Sequence, residues 1–210
     1  MTRWVLLTAT VDQEQVAALA AHPEVGHSSA GADLPGSVGG RGAVWDLVTD
    51  ADPRSLPGVP ADAEAVPLVT IAQQDVPFDG PRIKRTLLLT VADGTPDEVV
   101  RRFEQDTIAM PDHISTIRSW ALSRVDTSLA DASTRRTHVW EQEFVDADGL
   151  NGEYLLHPYH WTYVDNWFDP ESPRHIVEPA IAHLYRAAAG PVLLAQMSAS
   201  STGRPNASRP

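Results

Sequence analysis

Arg3-Trp4-Val5-Leu6-Leu7-Thr8 and Arg85-Thr86-Leu87-Leu88-Leu89-Thr90 are two strand-like stretches of nearly the same composition, one in each half of the 210-residue chain. Two further pairs follow in the same order. Arg41-Gly42-Ala43-Val44-Trp45-Asp46 matches Arg136-Thr137-His138-Val139-Trp140-Glu141, and Pro67 to Gln73 resembles Pro191 to Gln196. Strands share apolar residues, so one match means little, but three in order predict a duplicated α+β half. The spacing between matched pairs grows along the chain. The largest excess lies between the last two pairs, around Tyr154 and His160, so one functional site per chain is expected.

Outward from these anchors, the chain reads as alternating strands and helices. Trp4 to Val11 is rich in β-branched residues, and Asp12 caps a helix with Val16, Leu19 and Ala20 on one face. Gly31 to Gly42 reads as glycine-rich turn, Ala43 to Val48 as a strand, the proline-studded 50–65 as non-helical, and Pro67 to Gln73 as a strand. After the linker 77–81, Arg82 to Val91 is a strand. A helix then starts from a Thr95 cap, with Val99, Val100 and Phe103 on its buried side. Strands are expected near Thr116–Val125 and Thr134–Phe144. Asp146 caps a short helix ending at Tyr154, and helix continues over 161–168 and resumes over 175–188. Pro191 to Gln196 reads as the last strand, and 198–210 as a disordered tail. The units are thus 1–76, a degenerate half, and 82–197, the half with the site.

Composition narrows the function. A formal charge of −12 with no basic cluster argues against nucleic acid and anionic membrane as partners. No apolar run is long enough to span a bilayer. The absence of cysteine excludes disulfides, thiolate nucleophiles and Cys-ligated zinc. With no signal-peptide pattern at Met1-Thr2-Arg3-Trp4-Val5, a cytoplasmic protein is expected.

The chemistry-bearing stretch is Tyr154-Leu155-Leu156-His157-Pro158-Tyr159-His160-Trp161. Pro158 fits the first turn of a helix, which makes His157 a structural cap and sets His160 one turn in. A phenol and an imidazole on either side of a helix break form a donor and a base if the two helices meet beside a cavity. The same residue types also serve as half-buried amphipathic side chains at helix junctions. A metal set from His157, His160, His175, Glu178 and His183 lacks an H-E-x-x-H spacing, and no cofactor is expected.

The run Y-L-L-H-P-Y-H resembles the Y-x-x-H-P-x-H segment of the stress-responsive dimeric α/β-barrel (Dabb) family, and the likeness extends over about Ile83 to Met197. The resemblance implies a ferredoxin-like β-α-β-β-α-β unit that builds a barrel by packing against a second copy. Here the N-terminal half would supply that copy, giving two fused half-barrels; the rivals are two independent domains, or a homodimer with an unrelated N-terminal extension. It also implies a polyketide cyclase or related lyase acting on a carbonyl-rich small molecule, with His160 as base and Tyr154 as donor to the oxyanion. Leu87, Leu89 and Trp140 would line the pocket. Strand parity adds His138 and Arg85, and Trp161 stands beside the base. Arg85 occupies a position where a plant cyclase of the family has a histidine. An arginine there holds a carboxylate or enolate rather than taking a proton, unless, like the matched Arg3, it is structural. Binding without catalysis and a haem- or metal-binding barrel remain the alternatives.

Overall fold

A computed structural model describes residues 1–202. The strands are β1 (Thr2–Thr8), β2 (Val25–Ala32), β3 (Ala43–Thr49), β4 (Glu64–Gln74), β5 (Arg82–Leu89), β6 (Trp120–Val125), β7 (His138–Phe144) and β8 (Ala182–Ala188). The helices are α1 (Gln13–Ala20), α2 (Asp97–Ile108), α3 (Met110–His113), α4 (Ala147–Gly149) and α5 (Leu193–Thr202). All eight strands form one antiparallel sheet in the order β2-β3-β1-β4-β6-β7-β5-β8. In each half the first strand lies between the third and the fourth, the ferredoxin-like arrangement, and the two halves join where β4 pairs with β6. The sheet curls until β2 and β8 face each other.

That second seam is closed by loop rather than by ladder. The loop after β2 reaches β8, where Val38 and His183 exchange backbone hydrogen bonds of 2.9 Å and the Leu34 N–H donates to the Tyr185 carbonyl at 2.8 Å. Gly39 has φ +71°, and a Cβ there would collide with the Ile181 carbonyl, so the close approach requires glycine. Segment 31–42 is therefore β2's end plus the strap that closes the fold.

Strand alternation sorts the core into three layers. Trp4, Leu6, Trp45 and Leu47 pack outward under α1. Val5, Leu7, Val44, Leu88, Val139 and Leu184 point into the lumen between the halves. Leu87, Leu89, Trp140, Phe144 and Tyr154 pack outward under α2 and the segment after α4. One end of the lumen is ionic: Arg3 reaches Glu141 at 2.5 Å, Lys84 reaches Asp46 at 2.5 Å and Glu141 at 2.8 Å, and Arg186 reaches Asp46 at 2.5 Å. Lys84 and Arg186 hold the Asp46 carboxyl down at about 2, against a desolvation that pushes it up.

The structure corrects five expectations. Residues 182–188 form a strand and not a helix: Ala182, Leu184, Arg186 and Ala188 face inward, and pairing with β5 overrides their helical propensity. Residues 193–202 form α5 and not a strand, with the Val192 and Leu193 N–H groups held by one Glu143 oxygen at 2.8 and 2.9 Å. The third repeat match therefore pairs unlike elements, and the tail expected from 198 begins inside a helix; its remainder lies outside the described residues. Strand β2, V-G-H-S-S-A-G-A, was not expected, because its small residues are weak strand formers held there by β3. Thr95 does not cap α2; its hydroxyl turns back to the Ala92 carbonyl. Finally, Leu6 pairs with Trp45 as Leu87 pairs with Trp140, so the counterpart of Arg3 is Lys84, one residue before Arg85. Arg3 and Lys84 share the lumen, and Arg85 faces the opposite way.

Candidate active site

Between the outer face of β5, β7 and β8 and the helical cover lies a cavity of about 210 Å³. Leu87, Leu89, Phe103, Met110, Trp140 and Phe168 make its walls apolar, and its polar groups are Arg85, Thr107, Tyr154, His160, Asp165 and His183.

Asp146 accepts the Gly149 N–H at 2.9 Å and starts the turn that continues as a wide π-helix over Leu150–Tyr154. Tyr154 ends it, 1% exposed, with its ring edge-on to Phe144. His157 Nδ1 then accepts the Tyr159 N–H at 3.1 Å, a side-chain cap across Pro158, and the chain rewinds as a second π-helix over His160–Val164. Such wide turns recur at functional sites because they re-aim side chains that a regular helix would bury. Here they set the Tyr154 and His160 rings edge to face, 4.8 Å between centroids. His160 Nδ1 lies 3.2 Å from Asp165 Oδ1 but out of line for a hydrogen bond, which leaves it within reach of the carboxylate once protonated.

Burial, assisted by the negative ends of Tyr185 and Asp165, pushes the Tyr154 phenol up, while Arg85 and Gln142 pull it the other way. The net effect is a neutral phenol, a hydrogen-bond donor. His183 is held down to about 2 by burial first, then by the positive charges of Arg85 and His160. Arg85 Nε donates to His183 Nε2 at 2.6 Å, which fixes the acceptor nitrogen and leaves the proton on Nδ1; the Tyr185 hydroxyl lies 2.9 Å from Nε2 and 3.2 Å from Nδ1. Arg85 Nη1 donates to Gln142 Oε1 at 2.7 Å, and its guanidinium carbon lies 5.1 Å from the Tyr154 ring centre.

Of the residues read from the sequence, Tyr154, His160, Arg85, Leu87, Leu89 and Trp140 meet around this cavity. His138 does not: its Nε2 stands 3.1 Å from Glu104 on α2, behind the Phe103 ring, where burial lowers its pKa. Trp161 is also outside the cavity, 54% exposed, with its indole donating to the Leu155 carbonyl at 2.7 Å and bracing the turn. Thr107 and Asp165 were missed, and His183 was read only as a member of a metal set. The alternation in A-H-L-Y-R was the available signal, hidden by the helix-forming Ala, Leu and Arg. Among the described residues no group of three or more His, Asp or Glu stands close enough to hold a metal ion.

Residues 83–178 match the family model described as the stress responsive A/B barrel domain, Dabb. The likeness to the Dabb domain thus covers a little under half of the chain. The match stops short of β8, so His183 lies beyond it. None of the curated proteins matches the chain. Among solved structures, an anthrone oxidase-like protein superposes with a TM-score of 0.62 at 8% identity, over 90% of this chain and 92% of its own. A Fusobacterium nucleatum protein put forward as a monooxygenase gives 0.55 at 9% identity, over 90% and 95%. A major regulator of staphylococcal pathogenesis gives 0.53 at 10%, over 89% and 98%. At these identities the likeness is one of fold, and it spans both halves: the Dabb-like half and its N-terminal partner together make the ferredoxin-like double barrel. No helix among the described residues is long and apolar enough to cross a membrane.

Proposed function

We propose that the Dabb-like half is a cofactor-free enzyme that moves a proton on the carbon next to a carbonyl of a small apolar molecule. The observation that supports this reading is the Tyr154–His160 pair, rings 4.8 Å apart on the wall of one apolar cavity. His160 takes the proton from the activated C–H as general base, and Asp165 lies close enough to hold the imidazolium that results. The electron pair moves onto the carbonyl oxygen, where the Tyr154 O–H donates to the developing oxyanion. The enolate carbon then attacks a second carbonyl of the same molecule, and His160 returns its proton to the new alkoxide. The proton removed is the proton given back, so an aldol cyclisation balances without any further reactant. Isomerisation shares the first step, and retro-aldol cleavage runs the sequence backwards, with His160 taking the proton of the β-hydroxyl as the C–C bond breaks and returning it to the enolate carbon.

The test is a screen of linear β-polyketones and ring-fission products with the full chain, run in air and under nitrogen. Oxygen-dependent turnover would redirect the reading toward the chemistry named for the oxidase- and monooxygenase-like neighbours. With a substrate in hand, His160→Ala should lower kcat by about 10²-fold or more. Tyr154→Phe should lower it by about 10²-fold while leaving stability nearly unchanged, because only the hydroxyl goes. Full activity in both variants overturns the mechanism. A chain that binds these compounds without converting any is a binding protein.

A further inference from the structure

Five cationic side chains are buried among the described residues: Arg3, Arg82, Lys84, Arg85 and Arg186. Four have carboxylates. Arg3, Lys84 and Arg186 share Asp46 and Glu141 in the lumen, and Arg82 pairs with Glu143 at 2.8 Å. Arg85, 3% exposed, has none: its partners are the Gln142 amide oxygen and a ring nitrogen of His183, both neutral. Its Nη2 meets no acceptor among the described residues, and the side chain forms part of the cavity wall. The acid on that wall, Asp165, stands beside His160, half-exposed, and beyond ion-pair distance of Arg85.

A guanidinium cannot shed its proton near neutral pH, and one whose partners inside the protein are all neutral has its charge matched by an anion that arrives from outside. We infer that the substrate is a carboxylic acid and that Arg85 is the residue that binds its carboxylate. This rests on the proposed reading only in taking the cavity as the substrate site. Nε and one Nη1 proton of Arg85 are already engaged with His183 and Gln142, which fixes the plane of the fork. The end of the fork, from Nη1 to Nη2, remains for the two oxygens of a carboxylate. His183 stays neutral beside it, so the Arg85 guanidinium is the positive charge that the incoming carboxylate meets there. A cavity of about 210 Å³ is smaller than the range of about 300–1,000 Å³ typical of drug-sized ligands. The body attached to the carboxylate is therefore small and flat, of one or two fused rings or a chain that folds to that size. In that pose the acid group is fixed at Arg85 while the carbonyl carbon chain lies toward Tyr154 and His160. Arg85 would thus set which end of the molecule meets the base.

The experiment uses the full chain and two shape-matched probes, 2-naphthoate and 2-naphthamide, with binding followed by titration calorimetry at pH 7. The wild type should bind the acid at least about tenfold more tightly than the amide, the worth of a charge-assisted hydrogen bond. Arg85→Gln should erase that preference, and an unchanged circular-dichroism spectrum with a single melting transition shows that the variant is folded. Arg85→Lys keeps the charge without the fork and should retain part of the preference. Equal affinities in the wild type, no saturable binding of 2-naphthoate, or a preference that survives Arg85→Gln would each overturn the inference. If Arg85→Gln does not fold, the wild-type preference and Arg85→Lys decide. Failure here is separable from failure of the proton-transfer reading. Acid preference with no turnover of any compound sinks the latter alone, and turnover of neutral ketones without acid preference sinks only the former.

Discussion

Replacing Glu141 by Leu would test whether the two halves are one folding unit. Glu141 is fully buried on β7 and accepts from Arg3 of β1 at 2.5 Å and from Lys84 of β5 at 2.8 Å. Without it, Arg3, Lys84 and Arg186 have a single lumen carboxylate, Asp46, between them. Removing one member of a buried ion pair costs about 3–5 kcal/mol, because a charge is left without compensation. In a chain of this size each kcal/mol shifts Tm by about 2–4 °C, so a fall of about 6–20 °C is expected. Removing Arg3 as well takes away the stranded charge. Arg3→Met combined with Glu141→Leu should therefore be more stable than the sum of the two single changes, by about 1–3 kcal/mol. The assay is a double-mutant cycle by urea denaturation and calorimetry at pH 7. Arg3 and Glu141 belong to different halves, so coupling between them requires a shared lumen. Additivity within about 0.5 kcal/mol, or two melting transitions of which only one moves, would refute the reasoning.

Acid should weaken the fold. His183, His138 and His27 are all held below the usual histidine value by burial, so the unfolded chain binds protons near pH 6.5 that the folded chain refuses. Stability then declines as pH drops below about 6.5. Asp46 adds to the loss at lower pH: its stabilisation is complete above its unfolded value near 3.8 and disappears as pH falls toward about 2. The urea midpoint should change little from pH 7.5 to 6.5 and fall from 6.5 to 4.5, and His183→Gln should flatten part of that slope; a midpoint constant down to pH 4.5 would contradict it. At the helix break, His157→Ala should cost about 1 kcal/mol and His157→Asn less, since Asn still accepts the Tyr159 N–H. Equal melting temperatures for the two variants would remove His157 from its capping role.

The residues that declared themselves in the sequence are those whose local pattern and tertiary role agree. β1, β3 and the second half of β5 carry runs of large apolar residues because they are interior strands with both faces covered, and in β7 Val139 and Trp140 keep the same signal. Tyr154 and His160 were legible because proline and a cap mark the break between them. β2 and β8 were not: β2 carries small residues, as the approach of Gly31 to the Ala187 carbonyl favours, and β8 carries Ala, Leu and Arg, whose local preference is helical. The Arg3–Arg85 match shows a different failure. Lys84 and Arg85 are adjacent basic residues, and matching by identity selected the wrong one, a one-position slip that moves a side chain from the lumen to the cavity. His183 was lost with β8, and with it the explanation of what Arg85 touches.

The seam between β4 and β6 has a consequence for how the protein responds to dilution. Were the two halves separate chains, that pairing and the lumen ion pairs would form between molecules, and the folded fraction would fall with concentration. With β4 and β5 joined through residues 75–81, the encounter is intramolecular, and the double barrel holds together at any concentration. A substitution also enters such a chain once rather than twice. Among the described residues the first half has one α-helix, and Val69 and Ile71 of β4 stay open to solvent, while the cavity of Tyr154 and His160 keeps its cover.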